Sequence, residues 1–122
     1  MSRDLYDRAV AVSERAYAPY SKYLVGAAVR TRDGKVFEGV NVENAAYPLG
    51  VCAEKTALGK AVSEGYRPGD FAAIGITASP CGGCRQWLYE FGVDEVTFLN
   101  SAGDLVTYSA ADLLPDTWDL PA

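Results

Sequence analysis

The stretch Phe71-Ala72-Ala73-Ile74-Gly75-Ile76-Thr77-Ala78-Ser79-Pro80-Cys81-Gly82-Gly83-Cys84 passes from a β pattern into a helix start with almost no linker. Residues 71–77 form an apolar run of strand length, which reads as a buried strand. Residues 81–91 follow as a helix, with Trp87, Leu88 and Phe91 on its apolar side. Further on, 95–99 and 106–109 read as strands, and 109–114 as a short helix stopped by Pro115. Upstream, residues 52–64 read as a helix with Ala57, Leu58, Ala61 and Val62 as its buried stripe and Gly65 as its stop. Residues 41–50 form a loop. Residues 25–31 and 36–40 flank Asp33-Gly34, a dipeptide suited to a hairpin turn. Leu5, Ala9, Val12 and Ala16 recur at helical spacing, so residues 3–17 read as an amphipathic helix, capped by Ser2 and ended by Pro19. A hairpin followed by strands alternating with helices implies a mixed sheet with helices on its faces.

At 122 residues the chain suits a single domain, 1–122, with one real core. Its formal net charge is −5, and no basic stripe is interleaved with aromatics, so a nucleic-acid backbone is a poor partner. Three cysteines, an odd count, argue against a disulfide framework. The charged start Met1-Ser2-Arg3-Asp4 lacks the apolar run of a signal peptide, and no stretch approaches a spanning helix. The expectation is a cytoplasmic protein with no membrane partner.

Those three cysteines lie in Cys52-Ala53-Glu54 and Pro80-Cys81-Gly82-Gly83-Cys84, and the chain has no histidine. Thiolates suit a soft cation such as Zn²⁺. Structural zinc sites close with four protein ligands, whereas catalytic ones use three and leave one position for water. Both motifs fall at helix N-termini, where backbone N–H groups draw charge off the sulfurs. Lys55 and Arg85, each next to a motif, add positive charge. Glu54 then stands as the proton carrier of a hydrolytic zinc enzyme.

These motifs, with Ala18-Pro19-Tyr20-Ser21-Lys22-Tyr23, Val25-Gly26-Ala27-Ala28, the run from Gly39-Val40-Asn41-Val42-Glu43-Asn44 through Ala45-Ala46-Tyr47-Pro48, and Leu113-Leu114-Pro115, resemble the small homotetrameric zinc-dependent cytidine deaminases. The likeness covers nearly the whole chain. It implies a three-layer α/β/α sandwich around a five-stranded mixed sheet. It also implies hydrolysis of cytidine and 2′-deoxycytidine in pyrimidine salvage, with one Zn²⁺ on Cys52, Cys81 and Cys84. The non-ligand glutamate is a general feature of zinc deaminases. By resemblance, Glu54 moves one proton from water to N3 of the base and then passes another to the departing ammonia. Tyr23 stands where the family places a Phe against the base, and Ala53 also falls at the substrate. Asn41 and Glu43 grip the ribose 3′-hydroxyl. Ala45, Tyr47 and Trp118 match segments that approach a neighbouring protomer's substrate in tetrameric members. Lys55 replaces the family's usual Arg after the catalytic Glu.

Other readings of the same residues stand beside this one. The cysteines would also suit a structural zinc site completed by Glu54 or a partner chain, or small buried side chains. Cys81 and Cys84 alone would suit dithiol redox chemistry, which leaves Cys52 and Glu54 without a role. Taken singly, Asn41, Glu43, the tyrosines and Trp118 read as turn, surface or packing residues.

Overall fold

The computed structural model describes residues 2–119. Five strands form one mixed sheet in the order β2-β1-β3-β4-β5. They are β1 (Gly26–Thr31), β2 (Val36–Val40), β3 (Phe71–Ile76), β4 (Glu95–Leu99) and β5 (Leu105–Tyr108). Strands β3 and β4 are parallel because a helix, α3 (Gly82–Phe91), crosses between them; every other pairing is antiparallel. Two further helices are α1 (Arg3–Ser13) and α2 (Ala53–Ser63).

Alternation along the strands assigns the faces. Ala28 and Ala73 point to one side, where they pack with Leu5 of α1. Ala27, Val29, Ile74, Ile76, Val96 and Phe98 point to the other, against Ala57, Leu58 and Ala61 of α2 and Leu88 of α3. The result is the expected three-layer sandwich. A Cβ on Gly75 would lie 2.3 Å from the Tyr6 backbone N, so α1 packs directly on the sheet backbone. The larger cluster lies beneath α2 and α3, and this packing fixes the two helix starts that carry the cysteines. Ile74 is fully buried within it. Replacing Ile74 by Val is expected to cost about 1 kcal/mol, read as a fall of a few degrees in Tm, with no change at the cysteine cluster.

Several boundaries differ from the sequence reading. Helix α1 ends at Ser13 instead of residue 17, because Tyr17 is drawn into strand-like pairing. Its N–H donates to Asn41 O at 3.0 Å, and its carbonyl accepts from Glu43 N at 2.9 Å. Ser2 does not cap through its side chain. It is buried, and its backbone N–H donates to Thr97 Oγ1 at 3.3 Å. Residues 109–114 make a hydrogen-bonded turn in place of a helix, with Leu113 N–H donating to Ser109 O at 3.3 Å. Too few residues precede Pro115 for helix propagation to offset nucleation. Val62 is only half-buried, outside the core of α2.

Candidate active site

Cys52 and Cys81 are the N-cap residues of α2 and α3, and neither makes a side-chain cap hydrogen bond. Cys84 follows within the first turn of α3, so its sulfur returns to the same side as that of Cys81. All three Sγ atoms lie within 4.8 Å of one another, and Cys52 Sγ is 3.9 Å from Cys81 Sγ. A tetrahedral zinc with Zn–S bonds of about 2.3 Å separates its sulfurs by roughly 3.8 Å, so the donor set fits Zn²⁺. Among the described residues no carboxylate joins this cluster, which leaves the three-ligand arrangement of a catalytic site. Cys81 is exposed and Cys52 half-buried, so neither is a packing residue of the core.

Cys52 and Cys84 share their protons unequally. Cys52 is lowered to about 6, chiefly by its hydrogen bond with Cys84; burial opposes this, while Cys81 and the Lys55 charge assist. Cys84 is pushed up by the same bond with Cys52, by burial and by the nearby Glu54. Metal binding requires thiolates, so it removes the remaining protons. Zinc held here supplies Lewis acidity and lowers the pKa of a water molecule toward neutrality.

Glu54, the second residue of α2, is 3% exposed. Burial raises its pKa, against the pull of its own backbone N–H and of the Cys84 thiol. A buried carboxyl with a raised pKa gives up and takes back a proton more evenly than a free one, which suits general acid–base work.

A cleft of about 160 Å³ opens beside these groups, lined by Tyr23, Val25, Asn41, Cys52, Ala53, Glu54, Ala78, Ser79 and Cys81. Six of the residues singled out from sequence therefore meet there, with Cys84 buried behind them. Asn41 also ties down the cleft edge: its Oδ1 accepts from Val25 N at 2.9 Å and its Nδ2 donates to Tyr23 O at 2.9 Å. Glu43 lines a neighbouring cavity of about 390 Å³ with Tyr20, Ser21, Asn44, Tyr47 and Gly50. Its carboxylate accepts from Tyr20 N at 3.0 Å, from Ser21 N at 3.1 Å and from the Ser21 hydroxyl. The Ser21 hydroxyl is the main reason its pKa is lowered. The expected Asn41–Glu43 pair thus serves two adjoining cavities, and both side chains fasten the loop over residues 20–25.

Besides Glu43, three residues expected to contact substrate stay outside the cleft. Ala45 is exposed, Tyr47 is 79% exposed in the single 3₁₀ turn Tyr47–Leu49, and Trp118 is 71% exposed beyond β5. Lys55 Nζ stands 5.9 Å from the Trp87 ring centroid, a cation–π contact that holds its charge near the cysteine helices. Arg85, expected to add positive charge next to a cysteine motif, donates to backbone and hydroxyl oxygens. Val25, Ala78 and Ser79 were not anticipated as lining residues. Their signal was positional: Ala78 and Ser79 follow the carboxyl end of a strand with a parallel neighbour, where α/β sheets form their crevices.

Similarity to known proteins agrees with this geometry. The profile of the cytidine and deoxycytidylate deaminase zinc-binding region matches residues 1–100. The chain is 46% identical over 110 residues to a cytidine deaminase of Sporosarcina psychrophila, covering 84% of this chain and 79% of that one. It is 44% identical over 119 residues to a cytidine deaminase of Halalkalibacterium halodurans, covering 91% and 89%. A crystal structure of cytidine deaminase from Burkholderia pseudomallei superposes with a TM-score of 0.89 at 50% identity, over 97% of this chain and 99% of that one. The three-sulfur cluster with its buried glutamate, set in this sheet and matched over this length, makes the chain a member of the cytidine and deoxycytidylate deaminase family.

Proposed function

We infer that the protein hydrolyses cytidine and 2′-deoxycytidine to uridine and 2′-deoxyuridine, releasing ammonia, with one Zn²⁺ on Cys52, Cys81 and Cys84. The observation that carries this reading is Glu54: a buried carboxyl with a raised pKa, two residues after one sulfur and opening onto the same cleft. In the reaction water adds at C4 and the 4-amino group leaves. Glu54 carries one proton from water to N3, and then a second, from the hydroxyl added at C4, to the departing amine. Tyr23 stands at the cleft mouth, placed to cover one face of the base, and Ala53 contributes the backbone of the wall. Asn41 keeps one amide proton and one oxygen lone pair beyond its two backbone bonds, and these are offered to the ribose hydroxyl. Glu43 holds the adjoining loop and reaches the sugar from its own cavity.

Copies of the chain assemble, in this reading, into a homotetramer in which Ala45, Tyr47 and Trp118 meet a neighbour's substrate. Their exposure in a single chain supports it, and sedimentation as four subunits checks it. The compartment is the cytoplasm, where free thiols stay reduced. Among the described residues no helix is long and apolar enough to cross a membrane.

The deciding experiment supplies zinc-loaded protein with cytidine and measures ammonia and uridine. Equal amounts of both are expected. Stripping zinc with a chelator is expected to abolish turnover, and one equivalent of Zn²⁺ per chain to restore it. A protein that holds one zinc per chain yet leaves both cytidine and 2′-deoxycytidine untouched overturns the assignment.

A further inference from the structure

Arg85 sits at the end of the first turn of α3, where a cation opposes the positive end of the helix dipole. Something other than helix propensity must therefore favour it there. Its guanidinium reaches back toward the chain that precedes the helix. Nε donates to Pro80 O at 2.9 Å, Nη2 donates to Ser79 Oγ at 3.2 Å, and Nη1 donates to Leu113 O at 3.2 Å. Three oxygens from three places are thus met by one planar fork, a geometry that an ammonium on a flexible stem does not reproduce.

The segments that it joins have different duties. Ser79 lines the cleft, and Pro80 is the residue immediately before the ligand Cys81. Leu113 is a buried residue of the turn after β5 and belongs to the core cluster beneath α2 and α3. Residues 77–81 join β3 to α3 outside either element, and residues 77 and 78 are only half-buried. Pro80 is buried, whereas Ser79 and Cys81 on either side of it are exposed and have little packing of their own.

We propose that Arg85 is a positioning residue that anchors the Ser79–Pro80 wall of the cleft, and through it Cys81, to the core at Leu113. Its charge is used on oxygens on the far side of the loop, and the sulfurs receive its effect only through the position of Cys81. With Oγ accepting from Arg85, the Ser79 hydroxyl proton is left to point elsewhere, toward the cleft that the residue lines. The proposal rests on the zinc-deaminase reading for what the wall is for, and its first test does not depend on turnover.

That test follows zinc release from the full-length loaded protein into excess chelator, well below Tm, for wild type, Arg85→Met and Arg85→Lys. Loss of a group that orients a metal ligand typically weakens binding about 10- to 100-fold. Arg85→Met is expected to release zinc about tenfold faster or more, and Arg85→Lys to recover only part of the loss. With cytidine, kcat is expected to fall on the order of tenfold or more as the wall loosens, with a smaller change in KM. Ser79→Ala should lower kcat/KM in the wild type, and lower it less in Arg85→Met, because the two side chains act as one unit. A residue that only adds stability would lower Tm and leave zinc release and kcat at their wild-type values; that result overturns the proposal. If Arg85→Met fails to fold, Arg85→Lys decides alone, and wild-type release from it is equally fatal. A wild-type protein that binds zinc without deaminating cytidine would sink the function, while the release rates would still judge Arg85.

Discussion

Replacing Glu54 by Gln is expected to lower kcat for cytidine by about 10²–10⁴ while one zinc per chain is retained. The amide matches the carboxylate in size, so the buried position in α2 stays filled without strain. It carries no exchangeable acid proton, so the transfers to N3 and to the leaving amine lose their carrier. Zinc stays because Glu54 lies outside the cluster of three sulfurs. Burial currently works against the charged form of Glu54, so the neutral amide should also leave folding stability unchanged or slightly improved. Metal content by atomic absorption and turnover on the same sample separate the possibilities. Loss of zinc along with activity would make Glu54 a metal ligand. Full activity in the variant would remove it from the reaction.

A second large effect is expected from Gly39→Ala in β2, a residue that does not itself line the cleft. Gly39 pairs with Ala27 on the sheet, and a Cβ there would lie 2.4 Å from Ala57 N and 2.6 Å from Ala53 O. Both are backbone atoms of α2, so no side-chain rotation relieves the clash. The helix must move off the sheet, and overpacking of this kind costs about 3 kcal/mol or more. A fall in Tm on the order of 10 °C is expected. Because Cys52 caps this helix and Glu54 lies in its first turn, the displaced α2 should also weaken zinc binding and reduce kcat. The Ile74→Val variant is the control, since its small loss of stability leaves α2 seated. Gly39→Ala protein with wild-type zinc affinity would show that the helix start is held independently of its packing on β2.

Much of this molecule was legible from residue order because the informative signals are local. Trp87, Leu88 and Phe91 at helical spacing, the Gly65 stop, and the apolar run of β3 each reflect contacts within a few residues. The two cysteine motifs were legible for the same reason, since each sits in one turn of chain at a helix start. The misread boundaries have a common cause in long-range partners. Tyr17 leaves α1 for Asn41 and Glu43, and Ser2 keeps the N-cap position without a side-chain bond while its N–H reaches Thr97. Arg85, read as a positive charge next to a cysteine motif, reaches the carbonyl of Leu113, 28 residues away.

By itself, then, the sequence determined the alternation of strands and helices, the three candidate thiolate ligands and the carboxylate two residues after the first. Periodicity and ligand chemistry are properties of neighbouring residues, and they survive without a fold. Tertiary structure alone decided that Cys52 and Cys81, 29 residues apart, bring their sulfurs to 3.9 Å. It also decided that Glu54 is buried against the cleft that Asn41 and Ser79 help to wall, and that Glu43 serves the cavity next to it. Those outcomes depend on how closely α2 and α3 settle on the sheet, which is set by packing at Gly39, Ile74 and Leu88 and is invisible in any short stretch of chain.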